Sequence, residues 1–441
     1  MRFKKPLLLG LAVVSCAFRA FSADLACESC RVILVDSTEG QSNKVDLEIK
    51  RTQARIKEAR VAEPLVERLG WLYVDKAREA NDPGYYKLAE QCALCLETSS
   101  SNAPAALLLK GHVWHSLHRF KDAEPIALKL TQTRGMAFDF GLLGDVEFDL
   151  GKVREAVDAY QEMVNRRPDL QSYGRIAQVR WITGDVDGAV EAMTLASGAG
   201  SPLNAEPTSW ALTRLALYQL QLGNVAESRK VVARSLQILP DNAVGHAADG
   251  RIELALGDVG GAIQSFQKAA DLSHLPEPQW LLADTLRRAG QTNAAAAVEN
   301  ELERRGAVED PRSYALYLAT RGRHPDVALR LAERELTVRG DVFTHDALAW
   351  ALQANGRLPE AQTEMHKALA EGTQDARLFF HAAAIAQALG QSADAERYTS
   401  AALKFKTMLF PSEENQLLQI AARQSSVKKM SALSATYPNE R

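Results

Sequence analysis

The chain is predicted to be all-α, a solenoid of about ten stacked helical hairpins, and three periodic signals carry that prediction. First, Ala89, Ala123, Ala156, Ala189, Ser228, Ala262, Ala295, Ala328, Ala361 and Ala395 recur at intervals of 33 or 34 residues, with one interval of 39. Second, twelve residues before each stands Ala77, Gly111, Gly144, Ala177, Ala216, Gly250, Ala283, Leu316, Ala349 or Ala383, so nine of the ten partners are also small. Third, Gly151, Gly184, Gly223, Gly257, Gly290, Gly356 and Gly390 each fall five residues before a ladder position. Self-similarity at a fixed period of this size marks a repeat array. Two antiparallel helices of about 13 residues, rising 1.5 Å per residue, must approach closely where they cross, and only small side chains permit it. A glycine between them ends the first helix in the left-handed conformation. His118 and Arg323 take that place in two units, with Gly322 beside Arg323, and those two turns are expected to be irregular.

Taken in order, the chain opens on Arg2, Lys4 and Lys5 followed by an apolar run from Leu7 to Phe18. The run is too short to span a bilayer and has the layout of an export signal, so residues 1–22 read as one and the protein is expected outside the cytoplasm, in the periplasm, attached to the envelope or extracellular. Two processing readings stand open: cleavage after Ala20-Phe21-Ser22, or a lipobox, Val13-Val14-Ser15-Cys16, that would place a lipid on Cys16. Residues 23–60 read as an amino-terminal cap or linker, with an apolar run Val32–Val35 and a charged helical stretch Val45–Arg60. The hairpins occupy residues 61–410. The one interval of 39 is accounted for by a lengthened loop near 197–207, rich in Gly, Ser, Pro and Asn. Large apolar residues such as Phe140, Leu143, Tyr160 and Met163 need the neighbouring hairpin to cover them. The array is therefore expected to be one elongated domain without a single hydrophobic centre. In residues 411–441, Glu413–Arg423 reads as a capping helix and the remainder as a disordered tail.

Phe140, Leu143, Gly144, Ala156, Tyr160 and Pro168 together follow the pattern of the tetratricopeptide repeat family, which the chain resembles over roughly residues 61–410. The resemblance implies a right-handed superhelix whose inner groove, lined by the first helix of each pair, binds a peptide or protein. The sequence departs from the family pattern at Leu316, Asp249, Glu299 and Glu335, where small or apolar groups are usual, and keeps the closing proline only at Pro168 and Pro240. Carried over unit by unit, the groove positions include His112, Asp145, Trp181, Arg251, Asp284, Arg287, Tyr317, Arg321, Phe343, Asp346, Trp350 and Phe380. Further positions are Phe148, Gln178, Trp210, Leu217 and Gln387. Aromatic and arginine side chains are the ones that supply most binding energy at such surfaces. Phe343, Asp346 and Trp350, at steps of three and four, would form one stripe facing the groove. About half of the whole set is expected to pack against neighbouring helices instead.

Composition leaves room for little else. Hydrophobic residues make up 46%, charged residues 24%, and the net charge is −3 with the two signs interspersed, so no basic field invites nucleic acid. There is no phosphate-cradling glycine loop, nucleophile elbow or His-Glu-x-x-His helix, and neither an enzyme nor a cofactor is expected. Cys27 with Cys30 and Cys92 with Cys95 form two C-x-x-C motifs; disulfides suit an exported protein, inert buried or free thiols are the second alternative, and four-thiolate zinc is the least. His112, His115 and His118 lie along one helix, where groove lining outweighs metal binding. The leading function is thus an exported, non-enzymatic interaction scaffold in envelope assembly, and the runner-up is a metal- or small-ligand-binding protein using the His and Cys clusters.

Overall fold

Helices α3 to α22 form ten antiparallel hairpins in the computed structural model, which describes residues 27–35, 44–80, 82–99 and 102–436, with side chains to residue 426. The export signal and Cys16 lie outside the described residues. Before the hairpins come α1 (Glu28–Val32) and α2 (Lys44–Glu58). The hairpins are α3 (Glu63–Ala80) with α4 (Gly84–Ser99), α5 (Pro104–Ser116) with α6 (Phe120–Thr133), and α7 (Ala137–Asp149) with α8 (Val153–Arg166). There follow α9 (Leu170–Ile182) with α10 (Val186–Gly198), α11 (Ala205–Gln221) with α12 (Val225–Ile238), and α13 (Ala243–Leu256) with α14 (Val259–Leu272). The last four are α15 (Pro276–Arg288) with α16 (Thr292–Glu309), α17 (Pro311–Arg321) with α18 (Pro325–Val338), α19 (Val342–Ala354) with α20 (Leu358–Ala368), and α21 (Ala376–Ala388) with α22 (Ser392–Lys404). A 3-10 turn (Lys406–Met408) leads into α23 (Pro411–Thr436). No strand occurs among the described residues, and no described helix is long and apolar enough to cross a membrane.

The two-register ladder is the crossing point of each hairpin. Every ladder side chain is at most 1% exposed, and Leu316, the one large partner, is itself buried at 6%. At Ser228 the hydroxyl donates to the carbonyl of Ala216 on the facing helix (2.6 Å), so a polar residue is admitted because its one donor is satisfied at the crossing. A Cβ added at Gly250 would lie 2.5 Å from the Phe266 ring, and one at Gly144 2.4 Å from the Tyr160 ring. The absent methyl is therefore space already filled by the aromatic of the second helix.

The turns follow the sequence with one displacement. All seven turn glycines have φ between 74° and 86°. His118 adopts the same left-handed conformation at φ 58°. In the other irregular turn the left-handed residues are Gly322 (φ 63°) and His324 (φ 45°), on either side of Arg323. The lengthened loop is shorter than expected: α11 starts at Ala205, carries Pro207 in its first turn and runs 17 residues, so part of the insertion extends the helix. The helix α23 also continues to Thr436, through residues read from sequence as a disordered tail.

Where one uninterrupted array was expected, the chain divides into two compact units, Met1–Gly135 and Met136–Arg441. In the first, α1 packs on α4 and α2 on α3. Gln53 donates its amide to the carbonyls of Ile33 (2.8 Å) and Val35 (2.9 Å), and Tyr73 donates to Ile33, which satisfies the free carbonyls at the end of the short α1. Lys76 and Asp46 form a fully buried ion pair between α2 and α3 at 2.9 Å. A disulfide joins Cys30 of α1 to Cys95 of α4, one cysteine from each C-x-x-C motif, and Cys27 and Cys92 remain thiols.

The second unit makes contacts between hairpins far apart in sequence, which is why it is a body of its own. The amide of Gly340 donates to Asp149 (3.0 Å), the hydroxyl of Thr373 to Ile182 (2.6 Å), and the amide of Gln221 to Gln374 (2.5 Å). At Gly151 and Gly184 two demands coincide: φ is positive, and a Cβ would meet the carbonyl oxygens of Gly340 and Gly372 at 2.2 and 2.6 Å. The row of hairpins in this unit therefore curves until later turns rest on the ends of earlier first helices.

Three outcomes test this description. Gly250→Ala should destabilise by about 1–3 kcal/mol through overpacking against Phe266, while Gly260→Ala, where the nearest atom is 3.5 Å away, should be neutral or stabilise by about 0.5 kcal/mol; chemical denaturation of both variants checks the opposite signs. Burial pushes the Cys92 thiol well above its ordinary range, so alkylation followed by mass mapping should label half-buried Cys27 in the native protein and Cys92 only after unfolding. Cys30→Ser should cost the first unit roughly 2–4 kcal/mol, given the 65-residue separation that the bond closes.

Candidate partner-binding groove

The first helices of the hairpins in the second unit, α7 through α21 taken alternately, form the inner row, and one short segment shows how sharply that row bends. The 3-10 turn at Lys406–Met408 touches α11, α13 and α21, and the start of α23 touches α15 and α21. Helices from hairpins as distant as α11/α12 and α21/α22 can reach the same few residues only if the row is concave on the side of its first helices. The groove thus exists, and it holds the chain's own residues 406–416.

Phe410 is 1% exposed and inserts between first helices. The Trp280 ring meets it edge-on at 4.6 Å, and the Arg251 and Arg377 guanidinium groups lie 4.8 and 4.4 Å from its ring centre. Aromatic edge contacts and guanidinium stacking each add to the area buried. Arg251 also donates to the Met408 carbonyl (3.0 Å) and to Glu277 (2.8 Å). Ser412 donates both its backbone amide (2.9 Å) and its hydroxyl (2.5 Å) to one oxygen of Asp284, and the Trp280 indole donates to the same hydroxyl (3.3 Å). Glu413, fully buried, accepts from Arg377 (2.6 Å) and from the amide of Phe410 (2.9 Å), closing the first turn of α23 from within. Gln416 donates to the Thr320 carbonyl (2.9 Å), and Arg288 reaches Glu414 (3.3 Å).

Two charge effects hold this wall together. Burial pushes the Asp284 carboxyl up, against the attraction of Arg321 and the Ser412 hydrogen bonds. Burial acts to lower the Arg377 pKa, but the carboxylates of Glu413, Glu277 and Asp375 together keep it above its ordinary value. Glu299, one of the departures from the repeat pattern, is 3% exposed. It receives Arg287 (2.9 and 2.6 Å) and Arg321 (3.0 Å), with Arg323 at 3.9 Å. Burial works to raise that carboxyl, and the three arginines bring it below its usual range. Arg321 also bonds Asp284, so a single guanidinium bridges the buried carboxylates of α15 and α16.

The twelve residues singled out from sequence are distributed unevenly. Arg251 and Asp284 touch the resident segment directly, and Arg321 and Arg287 support Asp284 and Glu299 behind it. Tyr317 is fully buried beside Trp280 at 5.6 Å. Phe343, Asp346 and Trp350 do not form an open stripe. Phe343 stacks on Trp181 (5.8 Å), Asp346 bonds the buried His381 (2.7 Å), and Trp350 donates to Thr320 (2.9 Å) while stacking on His381 (4.1 Å). Phe380 is fully buried against Trp350. Trp181 donates to Gln221 (2.8 Å), and Asp145 accepts from Tyr160 (2.9 Å) and Arg175 (2.7 Å). In the first unit, His112 lies half-buried against Trp71 (5.3 Å) with Arg78 at 3.0 Å.

His115 and His118 turn to Phe120 instead, so the three imidazoles diverge, and no three His, Cys, Asp or Glu side chains among the described residues are gathered to hold a metal. Arg377, Phe410 and Glu413 escaped sequence reasoning. The signal available was Leu409-Phe410-Pro411-Ser412-Glu413, two apolar residues before a proline-led helix start, which marks a helix without saying where it docks.

A family description, tetratricopeptide repeat, matches residues 142–202, the span of α7 to α10. The twelve-residue offset between the two registers of those hairpins recurs in all ten. The fold is that of a tetratricopeptide-like solenoid, and residues 142–202 match the family itself. No curated protein sequence matches it significantly. Among solved structures it is similar to Pseudomonas aeruginosa PilF, at 16% identity and a TM-score of 0.40, over 46% of this chain and 90% of that one. It is also similar to yeast Tom70, at 14% and 0.37 over 89% and 93% of the two chains, and to the human IFIT1 dimer with PPP-AAAA, at 14% and 0.45 over 86% and 94%. The tetratricopeptide fold is a scaffold for protein–protein interaction.

Removing Arg321 leaves two buried carboxylates without their shared cation, whereas Arg287 has a side chain 34% exposed. Arg321→Ala should therefore cost about 3 kcal/mol or more, and Arg287→Ala about 1 kcal/mol, in equilibrium unfolding monitored by circular dichroism.

Proposed function

We propose that this protein is an exported, non-enzymatic scaffold that holds a peptide or protein partner of the cell envelope in the inner groove of its second unit. The observation that carries the reading is that the groove is chemically fitted to a polypeptide. It offers an aromatic slot between Trp280, Arg251 and Arg377, and a carboxylate, Asp284, that takes a backbone amide. Main-chain recognition of that kind suits peptides and has no use for a small metabolite. Export is supported by the basic and apolar layout of residues 1–22 and by the Cys30–Cys95 disulfide, since such bonds persist in oxidising compartments.

The test is in the native cell. A photo-crosslinking amino acid at Arg288, on the groove side, should capture a defined partner from the envelope fraction, while the same group at Gln267, exposed on the outer-row helix α14, should not. Equal capture at both positions, or a protein found wholly in the cytoplasm, would refute the reading.

A further inference from the structure

The segment Met408–Gln416 is bound as a ligand would be, by side chains that converge on it. Arg251, Trp280, Asp284 and Arg377 come from three helices, α13, α15 and α21, and span the 127 residues from Arg251 to Arg377. Each makes at least one contact to the segment: Arg251 to the Met408 carbonyl, Trp280 to the ring of Phe410, Asp284 to Ser412 and Arg377 to Glu413. The readout is specific at three successive points: an aromatic ring between two guanidinium groups, an amide and hydroxyl together on one carboxylate, and a carboxylate on an arginine.

From this geometry we infer that the pocket is a peptide-recognition site for an aromatic–Pro–Ser–Glu turn opening a helix, that the chain's own Phe410–Glu413 keeps it occupied, and that an external partner enters by presenting the same turn and displacing it. This rests on the partner-binding reading above and adds to it the chemistry of the partner and a resident competitor. The balance is set by tethering. A segment joined to its pocket through the turn after α22 acts at an effective concentration in the millimolar range, so a free peptide of moderate affinity finds the site closed in the unmodified chain. The apparent dissociation constant of any outside ligand is its intrinsic value divided by the fraction of open molecules, and weakening the resident segment must tighten outside binding. The polar character of the seat suits exchange: Arg377 and Asp284 lose a partner on release but regain water, and Phe410 is the one large apolar side chain of the turn itself to be transferred.

The experiment uses the full chain and a fluorescent peptide with the sequence of residues 405–424. Fluorescence anisotropy should show weak or no binding to the unmodified protein. The variant Phe410→Ala/Glu413→Gln should bind the peptide at least tenfold more tightly, and adding Trp280→Ala should abolish that gain. Because loss of the resident turn could also disturb the fold, a charge exchange provides the second arm. Arg377→Glu should open the site to a peptide in which Glu413 is replaced by arginine, and Arg377→Glu/Glu413→Arg should close it again. Equal binding by the unmodified and opened chains, or no binding by an opened chain whose circular dichroism is unchanged, would overturn the inference. So would a charge exchange that fails to restore closure.

Failure here is distinct from failure of the scaffold reading. Partner capture at Arg288 that is equal in the unmodified and Phe410→Ala/Glu413→Gln proteins would leave the scaffold standing and remove the competitor. Tight peptide binding without any captured partner would do the reverse.

Discussion

The fold depends on one steric constraint: within each hairpin, two helices cross at a side chain no larger than serine. Close crossing places the large residues of each helix, such as Tyr160 and Phe266, over the backbone of its partner, where glycine at 144 and 250 leaves room for the ring. Once the hairpin has that shape, its remaining apolar face can be covered only by the next hairpin. Successive units in the second half share buried residues from Ala262 through Ile420 in one continuous cluster. Leu316 shows how far the rule can be stretched, since a large side chain is tolerated at one crossing where Ala328 faces it across the hairpin.

Stacking with a small rotation per unit bends the row, and the bend has two consequences in the second unit. Turn backbones at Gly340 and Gly372 come to rest on the ends of α7 and α9, a contact close enough to exclude any Cβ at Gly151 and Gly184. The first helices also converge on their inner side, which gathers arginine and carboxylate groups into a low-dielectric wall. There the charges are tolerated because each is shared: Arg321 between Asp284 and Glu299, Arg377 between Glu413 and the face of Phe410. Glu299 looks like a defect when set against the repeat pattern, and it is the centre of the arginine cluster.

The architecture was legible because it is a matter of local spacing. Alanine, serine and glycine at two registers reported the crossings, and seven glycines reported the turns, down to the irregular pair at His118 and around Arg323. The groove residues were half legible. Position within a repeat showed that Arg251, Asp284 and Arg321 face the inner row, yet the same logic nominated Trp350, Phe380 and Asp346, which are buried among first helices around His381. Spacing along one helix reports a face and is silent about what covers it. The cysteines show the same limit. Two C-x-x-C motifs were visible, but the bond runs between the motifs because α1 lies across α4.

What the sequence determined alone was therefore the unit: its length, its crossing point, its turn and the helix that faces inward. These follow from contacts within about 34 residues, whose geometry is imposed by backbone sterics. Only the tertiary structure decided that the array divides at Gly135, that the second unit curves onto itself, and that Phe410 and Glu413 return to fill the groove. Curvature accumulates from small rotations over many units, and no single residue encodes it. A segment more than 120 residues from Asp284 can find that carboxylate only after the whole row has bent to meet it.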